Sequence, residues 1–195
     1  MPDVSPKPPL TLSGMVQVLC AAVRKLVLLK GGYGFAADPE IVEKKIVQFR
    51  QRMRVDGLAK FGVRTAFSAV KFYAGVNELD HDEALGVLII FVETDHLSRL
   101  LWSFDYPRID EEDEEIILDG CGTLANLIAG YFVKGLCDAG CVHLQMSHFE
   151  NHINTAVNGI NFMPSQEKKY EIRFLLQGNR RITAELSMGH VPMAG

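Results

Sequence analysis

A continuous apolar run, Ala84 to Val92 (ALGVLIIFV), constrains the fold more than any other stretch of the sequence. The run has the length of a strand, is rich in β-branched residues and contains no polar position that would face water. It therefore predicts a buried central strand. Such a strand needs neighbouring strands on both sides and other elements packed over the sheet.

Elements of both kinds surround this strand. Apolar residues at helical spacing predict helices over 11–29 and 112–136. High β-branched and aromatic content predicts strands over 64–76, 170–176 and 181–188, the last two joined by a hairpin turn. Helices and strands in this mixed order predict an α+β fold, with an antiparallel or mixed sheet and helices packed on one face.

The chain divides into a leader and one domain. Residues 1–10, with four prolines, predict a flexible leader, and 11–190 has a suitable length for a single domain. Asp38-Pro39 has the residues of a helix N-cap and first turn, so we expect a helical insertion within 38–60. The order helix–strand–strand recurs before and after residue 105, which indicates an internal duplication.

The net charge and the cysteine content restrict the partners and the cellular compartment that can be expected. The net charge of −4 and sequence pI of about 5.9 provide no basic field, so we expect neither nucleic acid nor a membrane as a partner. The apolar stretch 14–29 is interrupted by Arg24 and Lys25, which leaves it short of the roughly 20 apolar residues of a membrane span. The four cysteines lie in apolar or helical contexts, and a chain of this size does not need disulfides. A reduced, cytoplasmic protein is the simplest interpretation.

Two clusters in the sequence contain residue types that can bind metals. His148 and His152 form an H-x-E-x-H string, which departs from the HExxH spacing of zinc proteases. Cys137, Cys141 and His143 place three soft ligands within seven residues, but a fourth ligand is not evident. We therefore expect hydrogen-bonded loop histidines and structural cysteines, and no metal site.

The long C-terminal helix has two contrasting faces. The residues expected in the core are Ile117, Cys121, Leu124, Ile128 and Phe132. The residues on the opposite face are Asp119, Gly122, Thr123, Asn126, Gly130 and Val133. A glycine inside a helix costs about 1 kcal/mol relative to alanine. Close approach of another backbone is the usual compensation, and it could come from another helix of this protein or from a docking protein.

This face resembles the signature helix of the CheC/CheX family of chemotaxis phosphatases. That helix reads as an Asp, then Glu-x-x-Asn, then small residues ending in Ala-Gly. Asp119, Asn126, Ala129 and Gly130 match the pattern. The resemblance extends to the central strand with its following helix and to the terminal hairpin, and it covers about 64–188 together with the first helix.

The resemblance implies a reaction and a partner. In that family the Asn is thought to orient a water for in-line attack on the aspartyl phosphate of a response regulator, while the Glu contacts the regulator's active site. It therefore implies Asn126 as the catalytic residue, a phosphorylated CheY-type response regulator as the partner, and a homodimer. No cofactor is implied for this chain, because the Mg²⁺ would belong to the regulator.

Thr123 departs from the family pattern. It stands at the Glu position, three residues before Asn126, and can neither carry the charge nor reach as far. Asp119 lies one turn earlier and is a candidate acid, although a helix cap or a plain surface carboxylate is the simpler explanation.

Two main functions follow from this pattern. The first is an aspartyl-phosphate phosphatase in which some carboxylate replaces the missing Glu. The alternative is a non-catalytic adaptor that docks a response regulator or another signalling partner through Gly122, Gly130 and Val133. In a third, purely structural interpretation, the same helix face packs inside a homodimer.

Overall fold

The computed structural model describes residues 9–50, 52–58, 60–160 and 167–194, so the first eight residues of the predicted leader lie outside it. Its helices are α1 (Leu12–Lys25, continued by a π-helical turn, Leu26–Lys30), α2 (Val76–Asp80), α3 (Thr94–Ser103) and α4 (Glu114–Asp138). Its strands are β1 (Glu40–Lys45), β2 (Gln48–Phe49), β3 (Arg52–Asp56), β4 (Thr65–Tyr73), β5 (Gly86–Glu93), β6 (Gln145–Met146), β7 (Glu150–Ile153), β8 (Ala156–Ile160), β9 (Lys168–Leu175) and β10 (Arg181–Met188).

One antiparallel sheet organises the fold. Its strand order is β1-β9-β10-β5-β4, and both β6 and β7 pair with β4. The central strand β5 is buried from Gly86 to Glu93, which confirms the prediction made from the apolar run. The predicted α+β class, with an antiparallel sheet, is confirmed as well. The order β9-β10-β5-β4 is symmetric about the β10–β5 pair, which is the arrangement that a duplicated helix–strand–strand unit would give.

Helices α1 and α4 cover one face of this sheet. The hydroxyl of Thr11 accepts a hydrogen bond from the Gly14 N–H at 3.1 Å and so begins α1. The Asp113 carboxylate accepts hydrogen bonds from the N–H groups of Glu115 and Ile116 and so begins α4. The two helices lie against each other, and their buried residues form one core with β4, β5, β9 and β10.

Both long helices are also apolar enough, by length and composition alone, to cross a membrane. The apolar side chains of α1 and α4 are instead packed into the core over the sheet. Core helices of soluble domains have the same composition, so neither helix indicates a membrane span.

The other face of the sheet is covered by a small second sheet with the order β2-β3-β8. The prediction of a helical insertion within 38–60 is therefore wrong, because this segment forms β1, β2 and β3. Met53 and Val55 are buried while Arg52 and Arg54 are exposed, which is the period-two alternation of a strand. Upstream of them, β1 is fixed by pairing with β9 far along the chain. That pairing outweighs the helix-start signal of the local sequence.

Candidate functional site

Helix α4 separates a buried face from an accessible one. The residues expected in the core are all fully buried in it: Ile117, Cys121, Leu124, Ile128 and Phe132. Phe132 packs edge-on against Phe72 of β4, with ring centroids 5.5 Å apart. This packing fixes the rotation of α4 about its axis, and so decides which side chains point away from the sheet.

The accessible side of α4 presents a stripe made of Asp119, Thr123, Asn126 and Gly130, here called the α4 stripe. Asp119 and Asn126 are exposed, and Thr123 and Gly130 are half-buried. Among the described residues, neither the Asp119 carboxylate nor the Asn126 amide has a hydrogen-bond partner. The amide is therefore free to hold a water molecule through both its donor and its acceptor.

Asp119 does not cap the helix, which leaves the surface-carboxylate interpretation. The cap is Asp113, and Asp119 lies in the second turn of α4. Its carboxylate stands one turn before Thr123 and two turns before Asn126. The structure therefore keeps a carboxylate on the α4 stripe, but places it farther from Asn126 than a motif Glu would be.

Two residues assigned to the partner-binding face do not lie on it. A Cβ at Gly122 would come within 2.5 Å of the Phe149 ring and within 2.9 Å of the Asn151 amide nitrogen. Val133 is only 3 % exposed and belongs to the core. Their assignment to partner binding is therefore wrong in this structure, because the segment around β7 covers Gly122 and the core encloses Val133. At Gly122, the cost of a glycine inside a helix is compensated by Phe149 and Asn151 of the same chain, which pack closely against the bare backbone.

Gly130 behaves in the opposite way. A Cβ built at this position meets no described atom within 4 Å. The glycine therefore leaves a bare patch of helix backbone open to the outside. Among the described residues, no side chain or backbone segment packs against this patch.

Asn126 and Gly130 line an open cavity of about 390 Å³, here called the α1/α4 saddle. Its lining residues are Lys25, Asn126, Leu127, Gly130, Tyr131, Lys134 and Met146. Lys25 comes from the end of α1 and Met146 from β6, so three elements build the saddle. A smaller groove of about 200 Å³ between α1 and α4 shares Lys25, Tyr131 and Lys134 with it.

The two lysines give the saddle a positive rim. Lys25 and Lys134 are both exposed, and no ion pair joins either of them to an acidic residue within the described part of the chain. The combination of two cations, a free amide and a bare backbone patch suits an anionic partner surface. Sequence reasoning missed Lys25, because only the packing of α1 on α4 brings it beside Asn126. Lys134 could have been found, since it lies one turn beyond Gly130 on α4.

The histidine string does not form a ligand set. His148 is exposed before β7, and the His152 ring lies 5.0 Å from the Phe67 ring, centroid to centroid. Burial lowers the pKa of His152, although the nearby Glu150 acts in the opposite direction. No group of three or more His, Cys, Asp or Glu within the described ranges is placed to hold a metal ion.

The cysteine cluster is equally unsuited to metal binding. Cys141 is buried, and its Sγ lies 4.0 Å from the Met193 Sδ. Burial, and to a lesser extent the nearby Cys137, raises the pKa of the Cys141 thiol. A thiol held in its protonated form is a poor metal ligand, because metals bind the thiolate. His143 is exposed next to these residues.

Comparison with known proteins finds similarity in structure only. No family model matches the sequence, and no curated protein matches it. A chemotaxis protein CheX from Desulfovibrio desulfuricans superimposes with a TM-score of 0.54 and 10 % identity, covering 89 % of this chain and 98 % of that one. A putative chemotaxis protein from Desulfovibrio vulgaris Hildenborough gives 0.53 and 15 %, covering 89 % and 95 %.

A CheC-like superfamily protein from Shewanella sp. PV-4 also gives a TM-score of 0.53 and 15 % identity, with 88 % of this chain and 95 % of that chain covered. At such low identity, these likenesses concern the fold alone. They extend over nearly the whole of both chains, so the architecture is shared and not just one motif. The chain therefore has the fold of CheC/CheX-like chemotaxis proteins.

Proposed function

We propose that this protein is a cytoplasmic signalling protein that binds a phosphorylated CheY-type response regulator at the α1/α4 saddle and hydrolyses its aspartyl phosphate. The observation that carries the proposal is the Asn126 amide, which is exposed and has no partner among the described residues. It lines the saddle beside a glycine with open space above it. The CheC/CheX-like fold supports the choice of partner.

The chemistry asks little of this chain. The Asn126 amide would hold a water in line with the aspartyl–phosphate bond of the regulator. The water oxygen attacks phosphorus, the bond to the aspartyl oxygen breaks, and the products are inorganic phosphate and the regenerated carboxylate. The Mg²⁺ that neutralises the phosphoryl oxygens belongs to the regulator, so this chain needs no cofactor of its own.

Lys25, Lys134 and Gly130 would serve binding rather than chemistry. The phosphorylation site of such a regulator carries carboxylates and a phosphoryl group, so a positive rim attracts it. The bare backbone at Gly130 allows an element of the regulator to approach α4 closely. Asp119 lies two turns from Asn126, so this carboxylate would contact the regulator in place of the missing Glu and would not act on the water.

A second candidate function is docking without catalysis, and Thr123 favours it. Thr123, three residues before Asn126, supplies no charge for the regulator's active site. In this version the protein would sequester the phosphorylated regulator and leave its lifetime unchanged.

A homodimer is also part of the proposal, and light scattering after size-exclusion chromatography tests it directly, because a monomeric mass contradicts it.

The decay of a phosphorylated CheY-type regulator, with and without this protein, tests the proposal. Acceleration by the wild type that is lost in Asn126→Ala supports hydrolysis at the saddle. Asn77→Ala, which alters an exposed asparagine of the distant helix α2, is the matched control and should accelerate decay like the wild type.

Binding measured separately resolves the two functions. Gly130→Leu should abolish binding by steric exclusion, while Glu115→Leu, near the start of the same helix, should not. Binding without acceleration selects the docking function. Neither binding nor acceleration with any regulator tested contradicts both functions.

A further inference from the structure

We propose that the outer face of the β2–β3 hairpin docks this protein on an anionic lipid surface, a property that goes beyond the proposed function. The hairpin belongs to the segment 44–64, which contains seven Lys or Arg residues and a single acidic residue, Asp56. The chain as a whole has a net charge of −4. The segment is therefore a local reversal of the protein's charge, and the net charge, on which the expectation of no membrane partner depended, does not reveal it.

Six of the seven cations of this segment fall into two groups, and the seventh, Lys45, is exposed at the end of β1. Lys44 and Lys60 point inward and form ion pairs with the buried Glu171, and Arg64 lies 3.6 Å from Glu114. These three contribute to the fold. Each of the three has an acidic partner within the protein.

Arg50, Arg52 and Arg54 form the second group. All three are exposed, and none has an acidic partner among the described residues. The guanidinium carbon of Arg50 instead lies 5.4 Å from the centre of the Phe49 ring. Asp56, the one acidic residue of the segment, is engaged locally, since its carboxylate accepts a hydrogen bond from the Leu58 N–H at 3.1 Å.

Apolar side chains alternate with these arginines on the same face of the hairpin. Phe49 pairs with Arg52 across the two strands, and the Arg54 N–H donates to the Val47 carbonyl at 2.8 Å. Cross-strand neighbours point to the same side of a hairpin. Val47 and Phe49, at 58 % and 48 % exposure, therefore stand beside Arg52 and Arg54.

This mixture of side chains favours a membrane surface over other anionic partners. Apolar and aromatic side chains enter the boundary between headgroups and acyl chains, while neighbouring guanidinium groups bind the lipid phosphates. A nucleic-acid strand longer than the hairpin would run over the surrounding surface of a net negative protein. An acidic protein segment would satisfy the arginines but offers no specific match to the exposed phenylalanine and valine.

Sedimentation of the full chain with lipid vesicles tests the proposal. We expect binding to phosphatidylcholine vesicles that contain phosphatidylglycerol, weak binding to pure phosphatidylcholine, and loss of binding at high salt. Each arginine near an anionic surface contributes about a fivefold gain in binding. The variant Arg50→Gln/Arg52→Gln/Arg54→Gln should therefore bind roughly a hundredfold more weakly.

Two further variants make the test specific. Lys30→Gln/Arg99→Gln/Arg108→Gln removes the same charge from exposed positions elsewhere and should bind within about threefold of the wild type, since only long-range attraction changes. Phe49→Ser should weaken binding while leaving the charge intact. Thermal unfolding of each variant checks that the fold is unchanged.

Several outcomes would overturn the proposal. They are equal binding to neutral and anionic vesicles, equal binding by the two triple variants, or no vesicle binding together with hairpin-dependent retention of RNA or polyglutamate. Asn126→Ala should bind vesicles like the wild type. The result is therefore independent of whether the saddle hydrolyses a phosphate.

Discussion

The two faces of the main sheet are built by different physics, although they share the same strands. Side chains of β5 alternate between them. Those on the helix-covered face are Leu88, Ile90 and Val92, and those on the opposite face are Val87, Ile89 and Phe91. The helix-covered face is an apolar core throughout, while the opposite face combines a smaller core with an ion network. The helices that cover the apolar face carry the candidate site on their outer surface. On the opposite face, ion pairs to Glu171 attach Lys44 at the end of β1 and Lys60 after β3 to the main sheet.

The ion network is centred on two glutamates that face each other. Glu171 of β9 and Glu185 of β10 are directly opposite in the register, and both are buried. Like charges in this arrangement repel, so the pair requires cations between and around it. Lys60 hydrogen-bonds to both carboxylates, while Lys44 binds Glu171 at 2.7 Å. Lys169 binds Glu185 at 2.6 Å.

The two faces should therefore respond differently to the loss of a side chain. Loss of a side chain from the apolar core leaves a cavity, and its cost depends little on pH. Loss of a member of the ion network leaves buried charges without partners, and its cost should depend strongly on pH.

The largest effect is expected on the apolar face. Phe132→Ala removes a fully buried ring that packs on Phe72, and should lower the free energy of unfolding by about 3–5 kcal/mol. Urea denaturation at neutral pH measures it. Trp102→Ala is the matched control, because this side chain is 56 % exposed and its loss should change stability by less than about 1 kcal/mol. Similar costs for the two variants would contradict the assignment of the core.

On the charged face, Lys60→Met should have the next largest effect. It leaves Glu171 and Glu185 opposite each other without their shared cation, which should cost about 3 kcal/mol at neutral pH. The deficit should shrink on acidification, because protonation of one carboxylate removes the repulsion. Urea denaturation of variant and wild type across the acid range measures both quantities. A deficit that stays constant with pH would mean that Lys60 acts by packing on the Phe91 ring, 4.7 Å away.

The wild-type protein should itself lose stability in acid through Glu171. Burial alone would raise the pKa of this carboxyl, but hydrogen bonds from Lys44, Lys60 and Arg173 outweigh it and lower the pKa to about 2. A carboxyl with a lowered folded-state pKa stabilises the fold above its unfolded pKa, near 4.5. That stability is lost as the pH falls toward 2, and amounts to roughly 3 kcal/mol.

Glu171→Gln provides the control for the acid titration. Its free energy of unfolding should be lower than that of the wild type at neutral pH and should fall less steeply between about pH 5 and pH 2. An equally steep fall in the variant would show that other carboxyls govern acid unfolding.

The sequence predicts the two faces unequally, for a physical reason. Strand β5 and helix α4 are recognisable because their signals, a continuous apolar run and a helical periodicity, each lie within the segment itself. Strand β1 is not, because its pairing partner β9 lies more than a hundred residues away, as in Glu43 opposite Tyr170. The segment 38–56 begins with a good helix-start signal at Asp38, and only the alternation within β3 indicates a strand.

The candidate site divides in the same way. Asn126, Asp119 and Thr123 could be placed on one side of α4 by helical projection, since that requires only the helix. The covering of Gly122 could not be predicted, because Phe149 belongs to a segment beyond the end of α4 and contacts Gly122 only in the folded chain. The contribution of Lys25 could not be predicted either, since it depends on how α1 packs on α4.

Gly122→Ala should cause a moderate loss of stability. The added methyl gains about 1 kcal/mol of helix propensity, but it must displace the Phe149 ring and the Asn151 amide. Such overpacking costs about 1–3 kcal/mol, so we expect a net loss of about 1 kcal/mol in thermal or urea unfolding. A gain in stability would show that the segment around β7 does not rest on α4.

Gly130→Ala should have the smallest effect on stability, and of the opposite sign. Because the added methyl meets no described atom within 4 Å, the helix should gain up to about 1 kcal/mol. The same methyl stands in the α1/α4 saddle, so binding of the regulator should weaken while the protein itself becomes more stable. Unfolding and regulator binding are measured on the same preparation. Higher stability with weaker binding would mean that the glycine sacrifices helix stability for close approach of a partner. Higher stability with unchanged binding would remove Gly130 from the binding surface and leave Asn126 and the two lysines to define it.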